Sequence, residues 1–219
     1  MEELEKIIGY NFKDKSLLNV ALTHSSFAHK FNQKNNERLE FLGDSILGFI
    51  IAEFLVKNIG DDEGVLTKMR ASMVSCEYLS KIVTENGLNN FIKTSPESLK
   101  NNESVKGDFF EALLGAMFLD SDMQTCKDYV YRILNLNISH IKEVFSDYKD
   151  YKTLLQEKVQ AQKGTIEYKL LSVSGEENSK IFEMCLLINE KFICSAKASS
   201  KQKAENKCAK HALSNTKTD

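Results

Sequence analysis

The sequence predicts two domains of different class: an all-α domain over residues 1–145 and a small α+β (α-β-β-β-α) domain over residues 150–219, with a linker at 146–149. Three observations predict it. Apolar residues recur at helical spacing through the first part, with no convincing strand among them. Near residue 165 the period drops to two. The charge balance also changes sign. Residues 1–145 hold 16 basic and 21 acidic side chains, whereas residues 146–219 hold 13 and 10. The net charge of -2 over 219 residues excludes a chain that is basic throughout, but not a basic domain.

Leu17, Leu18, Ala21 and Leu22 form the first apolar helical face. Leu39, Leu42, Ile46, Phe49, Ile50 and Phe54 define a longer helix from Asn36 to Asn58, which Asn58-Ile59-Gly60 closes. A further helix carries Val74, Tyr78 and Val83 and stops at Asn86-Gly87. Gly107–Leu119 and Lys127–Val144 supply two more. In the second domain, Asp150–Gln162 is a short helix. Ile166–Leu170 and Ile181–Ile188 alternate as strands on either side of a turn at Gly175–Asn178. Asn189-Glu190 turns the chain into a third strand, Lys191–Ala196, and Ser199–Leu213 closes the domain as a lysine-rich helix.

Five cysteines (Cys76, Cys126, Cys185, Cys194 and Cys208) form no C-x-x-C pair, which argues against a zinc site or disulfide framework and fits a reducing compartment. The acidic start lacks the basic-then-apolar plan of a signal peptide. The longest apolar run, Ile46–Val56, is interrupted by Gly48 and Glu53 and is too short to span a bilayer. A cytoplasmic protein without membrane attachment is expected.

The chemistry-bearing residues are acidic. Glu37, Glu40 and Asp44 stand at i, i+3 and i+7 and fall within roughly 60° of helical arc. The rest of that helix is apolar almost all round, which predicts burial. Carboxylates buried there need compensating cations, from Arg38, Arg70 or a nearby Lys, or from a metal. Asp108 and Glu111 repeat the pattern at i, i+3 on a second apolar helix, where Ala112 and Gly115 permit close approach of a neighbour. Two such helices together make an all-oxygen site suited to Mg²⁺ or Mn²⁺. Such a site serves phosphodiester hydrolysis. A di-iron carboxylate bundle would need Glu-x-x-His, and neither cluster has a His at that spacing.

The run Asn36-Glu-Arg-Leu-Glu-Phe-Leu-Gly-Asp-Ser45 closely resembles the signature of the ribonuclease III family. Ala21–Ser26, Asp62–Arg70 and Asp108–Asp120 reinforce the likeness, and the C-terminal unit resembles a double-stranded RNA-binding domain. The resemblance therefore covers nearly the whole chain. It implies an all-α endonuclease and dimerisation domain followed by a double-stranded RNA-binding domain. Family members are homodimeric, Mg²⁺-dependent endoribonucleases that cut both strands of double-stranded RNA. They leave 5′-phosphate and 3′-hydroxyl ends with short 3′ overhangs, in rRNA precursor processing and in mRNA maturation or decay. By the same resemblance Glu40, Asp44, Asp108 and Glu111 are metal ligands, and Asp44 and Glu111 are catalytic. Glu37 and Glu63 are supporting acids, and Phe41 packs across a dimer interface. His24 reads as a packing residue, and His29, His140 and His211 show no partner pattern.

A-form RNA displays 2′-hydroxyls in a wide, shallow minor groove. Thr153, Gln156, Glu157 and Gln160 share one polar helical face, which by resemblance meets that groove. Asn178 in the 175–180 loop would reach the next groove, and Lys201 and Lys203 the phosphates between. Three departures from the family pattern predict weaker, more salt-sensitive binding. Glu176 and Glu177 occupy the loop, Gln202 replaces a lysine, and Ala196 and Ala198 stand where glycines are common. The rival reading is a double-stranded RNA-binding regulator that does not cut, against which the intact acids argue. A third reading, a hydrolase of another phosphoester, leaves the second domain without a purpose.

Overall fold

The computed structural model describes residues 1–148, 151–175 and 180–215 and divides into two compact units, Met1–Tyr148 and Lys149–Asp219. The first unit is helical: α1 (Glu2–Ile8), α2 (Lys15–Ala21), α3 (Ser25–Phe31), α4 (Glu37–Asn58), α5 (Glu63–Met73), α6 (Cys76–Glu85), α7 (Glu103–Asp120), α8 (Met123–Ile133) and α9 (Ile138–Tyr148). Two short 3₁₀ turns, Leu88–Phe91 and Glu97–Asn101, lead from α6 into α7. Side-chain caps set several helix starts, since each first turn has backbone N–H groups without helical partners. Asp62 accepts from the Val65 N–H, Asn102 from those of Ser104 and Val105, and Asp122 from that of Thr125.

Two helices expected to be continuous are each broken. Val74 ends α5, and Ser75 starts α6 by accepting the Tyr78 N–H, so no single helix carries Val74, Tyr78 and Val83. The Lys127–Val144 stretch contains α8 and α9. Asn135 takes a left-handed conformation between them (φ 47°), and Asn137 accepts the His140 N–H. Helices α1 and α3 lie outside the sequence expectation. Both are only seven residues long.

The core is built on α4 and α7, and apolar residues from every side cover them. Leu47, Ile50, Ile51 and Leu55 of α4 and Phe109, Phe110, Leu113 and Met117 of α7 are fully buried. The two helices cross with backbones in contact. A Cβ on Gly43 would lie 1.8 Å from the Glu111 carbonyl oxygen, and one on Gly115 would lie 2.1 Å from that of Leu39. Helix α4 is not buried all round, however. Phe41, Phe49 and Val56 are 79%, 52% and 71% exposed. They outline an apolar face beside a groove of about 490 Å³ lined by Asp44, Gly48, Phe49, Arg70 and Val74.

In the second unit, α10 (Tyr151–Ala161) and α11 (Lys201–Asn215) flank an antiparallel sheet of order β1-β2-β3: β1 (Ile166–Ser174), β2 (Ile181–Ile188) and β3 (Lys191–Ala198). Leu155, Val159, Leu186, Cys208, Ala209 and Ala212 form its core. Both turn residues between β2 and β3, Asn189 and Glu190, have positive φ, as a tight hairpin requires. The first strand extends past Leu170 because a bulge before Ser172 restores its pairing. Of the expected turn at Gly175–Asn178, residues 176–178, Asn178 among them, lie outside the described residues.

Gly43→Ala or Gly115→Ala should lower unfolding stability by about 3 kcal/mol or more, because the obstructing atoms are backbone. Gly60→Ala, with open space around it, should stay within about 0.5 kcal/mol of wild type. Urea denaturation of the three variants compares them directly.

Candidate active site

The crossing at Gly43 and Gly115 places the acid-bearing turns of α4 and α7 side by side. Carboxylate oxygens of Glu40, Asp108 and Glu111 lie within 4.8 Å of one another. Asp44, one turn beyond Glu40, is exposed at the margin, close enough for its charge to act on both Glu40 and Glu111. Glu37 is exposed, and its charge acts on Glu40. The two helices therefore bring together the acids expected from both, although Glu37 and Asp44 are not buried as the helix pattern implied. Glu63 lies apart from the cluster, as the first residue of α5, and accepts the Thr67 hydroxyl at 3.0 Å.

No ion pair compensates this charge among the described residues, so neither Arg38 nor Arg70 neutralises it. Burial, reinforced by Asp44, Asp108 and Glu40, pushes the Glu111 carboxyl up to about 8. Burial and the neighbouring acids likewise raise Glu40. Burial raises Asp108 against a hydrogen bond from the Ser104 hydroxyl and the field of His24. Three converging oxygen ligands without a cation fit a hard divalent metal ion. Transition metals that favour sulfur or imidazole find no such group in the cluster.

Two further side chains border the acids. His24 caps α3, its Nδ1 accepting the Ser26 N–H at 3.2 Å, which agrees with a packing role. Cys76 starts α6 against Gly107, where an added Cβ would lie 3.4 Å from its Cα and Sγ. Burial raises its thiol, and so do Asp108 and Glu111. Nothing in the sequence pattern around Cys76 marks this position, because the contact is made through the Gly107 backbone. His140, which shows no partner pattern in the sequence, meets the Tyr78 hydroxyl at 3.0 Å between its Nε2 and the phenol oxygen.

In the second unit, Thr153, Gln156, Glu157 and Gln160 are all exposed on α10, opposite buried Leu155 and Val159. Lys201 is exposed at the start of α11, and Lys203 is half-buried and donates its N–H to the Ser200 hydroxyl at 3.2 Å.

Residues 14–137 match the family model described as Ribonuclease-III-like, and residues 151–216 match that of the double-stranded RNA binding motif. Ribonuclease 3 of a Nitratiruptor species is 39% identical over 220 residues, covering 97% of this chain and 95% of that one. Ribonuclease 3 of Helicobacter pylori is 40% identical over 225 residues, with 98% and 90% covered. A solved nuclease domain of ribonuclease III from Campylobacter jejuni superposes with a TM-score of 0.58 at 38% identity, over 63% of this chain and 98% of that one. A helical nuclease unit with clustered carboxylates, carried with a double-stranded RNA-binding unit, defines an endoribonuclease directed at double-stranded RNA. The chain belongs to the ribonuclease III family.

Glu111 makes metal-free stability depend on pH. Its folded-state value exceeds the ordinary 4.5, so its contribution is fully present below about 4.5 and is lost as pH rises through about 8. Glu111→Gln removes that loss. At about pH 9 the metal-free variant should melt several degrees above wild type, whereas near pH 4 the two should coincide. Thermal melts in chelator across this range test it, and equal melting temperatures at both ends would refute it.

Proposed function

We propose that this chain is a Mg²⁺-dependent endoribonuclease, with Mn²⁺ able to substitute, that hydrolyses phosphodiesters in both strands of double-stranded RNA. Its products carry 5′-phosphate and 3′-hydroxyl ends with short 3′ overhangs. The observation that carries this reading is the uncompensated convergence of Glu40, Asp108 and Glu111 beside Asp44. We assign residues 1–145 to catalysis and dimerisation and 150–219 to RNA binding; of the expected linker 146–149, residues 146–148 continue α9.

Glu40, Asp44, Asp108 and Glu111 would hold the metal, and a divalent cation held there would lower the pKa of water and stabilise the charge that develops on phosphate oxygens. Asp44 and Glu111 act as the catalytic carboxylates, accepting hydrogen bonds from the attacking water and fixing its approach to phosphorus. Burial and the neighbouring acids favour a proton on Glu111, so metal binding there would be coupled to loss of that proton. Glu37 and Glu63 orient substrate and water at the rim. The protein needs no side-chain nucleophile, since water is the attacking group.

RNA is held by Thr153, Gln156, Glu157 and Gln160 in one minor groove, by Asn178 in the next, and by Lys201 and Lys203 on the phosphates. The exposed aromatic Phe41, with Phe49 and Val56 along the same helix, supports a homodimer in which a second copy covers this face. The Campylobacter jejuni structure is described with a region involved in dimer formation, which supports the same assembly. No helix among the described residues is long and apolar enough to cross a membrane. We assign the protein to the cytoplasm, with precursor rRNA and mRNA as substrates.

Incubation with duplex RNA and Mg²⁺ should give paired cuts that EDTA abolishes, and Glu111→Gln should slow them by at least about 100-fold. Wild-type protein that binds duplex RNA yet leaves it intact in both Mg²⁺ and Mn²⁺ would instead make it a non-cleaving regulator. Phe41→Asp should yield a monomer by light scattering, and a dimer of unchanged affinity would rule out this interface.

A further inference from the structure

Asp108 is the one acid of the cluster with a side-chain hydrogen bond among the described residues, and its donor is Ser104. The serine is the second residue of α7. Its N–H is fixed by the Asn102 cap at 2.9 Å. Serines within a helix commonly return their hydroxyl to the carbonyl four residues earlier. Residue 100 lies in the preceding 3₁₀ turn and not in α7, so that local partner is missing. The hydroxyl turns forward instead and reaches Asp108 Oδ2 at 3.4 Å, one turn along the same face.

We propose that Ser104 is a positioning residue for the metal centre, holding the Asp108 carboxylate in its metal-binding orientation through this hydrogen bond. The inference rests on the reading of Asp108 as a metal ligand. Glu40 crowds Asp108, and like charge at this range drives a free carboxylate toward rotamers that point away. A hydroxyl opposes that drift without adding charge. A lysine in its place would supply the missing cation itself and compete with the metal. Ser104 uses one of the roughly four lone-pair sites of the carboxylate, leaving the rest for coordination. Such outer contacts typically change metal affinity by 10–100-fold, and one long bond belongs at the lower end.

Mn²⁺ binding to the full-length protein, measured by titration calorimetry without RNA, tests the role. Ser104→Ala should weaken Mn²⁺ affinity by about tenfold, while Ser104→Thr, which keeps the hydroxyl, should retain wild-type affinity. Melting temperatures in chelator should be unchanged, because Ser104 is exposed. Cleavage by Ser104→Ala should be impaired at low Mg²⁺ and recover at saturating Mg²⁺, which a merely structural defect would not do. Wild-type affinity in Ser104→Ala, or equal weakening in Ser104→Thr, overturns the inference. Asp108→Asn separates the two levels. If it binds Mn²⁺ as wild type does, the assignment of Asp108 as a ligand fails. If it loses binding while Ser104→Ala does not, only the role of Ser104 fails.

Discussion

The backbone contact between α4 and α7 is the constraint on which the remainder of the nuclease unit depends. Gly43 packs on the Glu111 carbonyl and Gly115 on that of Leu39, at a separation no side chain allows. Glu40 and Asp44 are the immediate neighbours of Leu39 and Gly43 in sequence. The glycines therefore convert two separate pairs of helical acids into one cluster. With alanines the helices would stand farther apart, and the carboxylates would spread with them. What holds the helices together against the repulsion of the acids is the fully buried ring of Leu47, Ile50, Phe109, Phe110, Leu113 and Met117. Each such side chain contributes about 1.5–3 kcal/mol of burial.

Two aspartates on α7 show how environment separates structure from function. Asp120, at the C-terminal end, accepts the Tyr10 hydroxyl and the Lys13 and Asp14 N–H groups at 2.7–2.8 Å. Burial opposes its ionisation, yet these bonds outweigh burial and hold its carboxyl below the usual range. It is satisfied, and it anchors the N-terminal segment. Asp108, about three turns earlier, has one long hydrogen bond and a raised carboxyl. The same residue type on the same helix is complete at one end and incomplete at the other. That incompleteness is the property a metal site requires.

Much of this is legible in the residues. The i, i+3 spacing of Asp108 and Glu111, and of Glu37 and Glu40, places the acids on common faces, and the small residues near Gly115 announce a close neighbour. The apolar circumference of α4 misleads, because a face buried in a core and a face left open at the surface call for the same side chains. By apolar pattern alone Phe41 and Leu47 look alike; the resemblance sets Phe41 apart as an interface residue, and the fold leaves it exposed while Leu47 is enclosed. The breaks at Val74-Ser75 and near Asn135 escape for another reason. A single capping hydroxyl and a single left-handed residue make them, while the apolar period on either side continues. Ser104 gives no signal, since a serine four residues before an aspartate acquires meaning only when the aspartate proves to be in the cluster.

The two units meet a polyanion with opposite charge. Carboxylates at the α4–α7 crossing repel phosphate, so by themselves they oppose RNA in the cleft. A cation placed between them reverses the local field and is attracted by both sides. Metal and RNA should thus favour each other's binding at this site, a coupling that by linkage runs equally in both directions. In the second unit three lysines are tied to acids, Lys152 to Glu205, Lys169 to Glu167 and Lys197 to Glu183, while Lys201 is exposed at the start of α11. This division explains why a chain of net charge -2 suits a duplex RNA substrate. The negative excess lies where a cation is to be recruited, and the positive excess lies where none is needed.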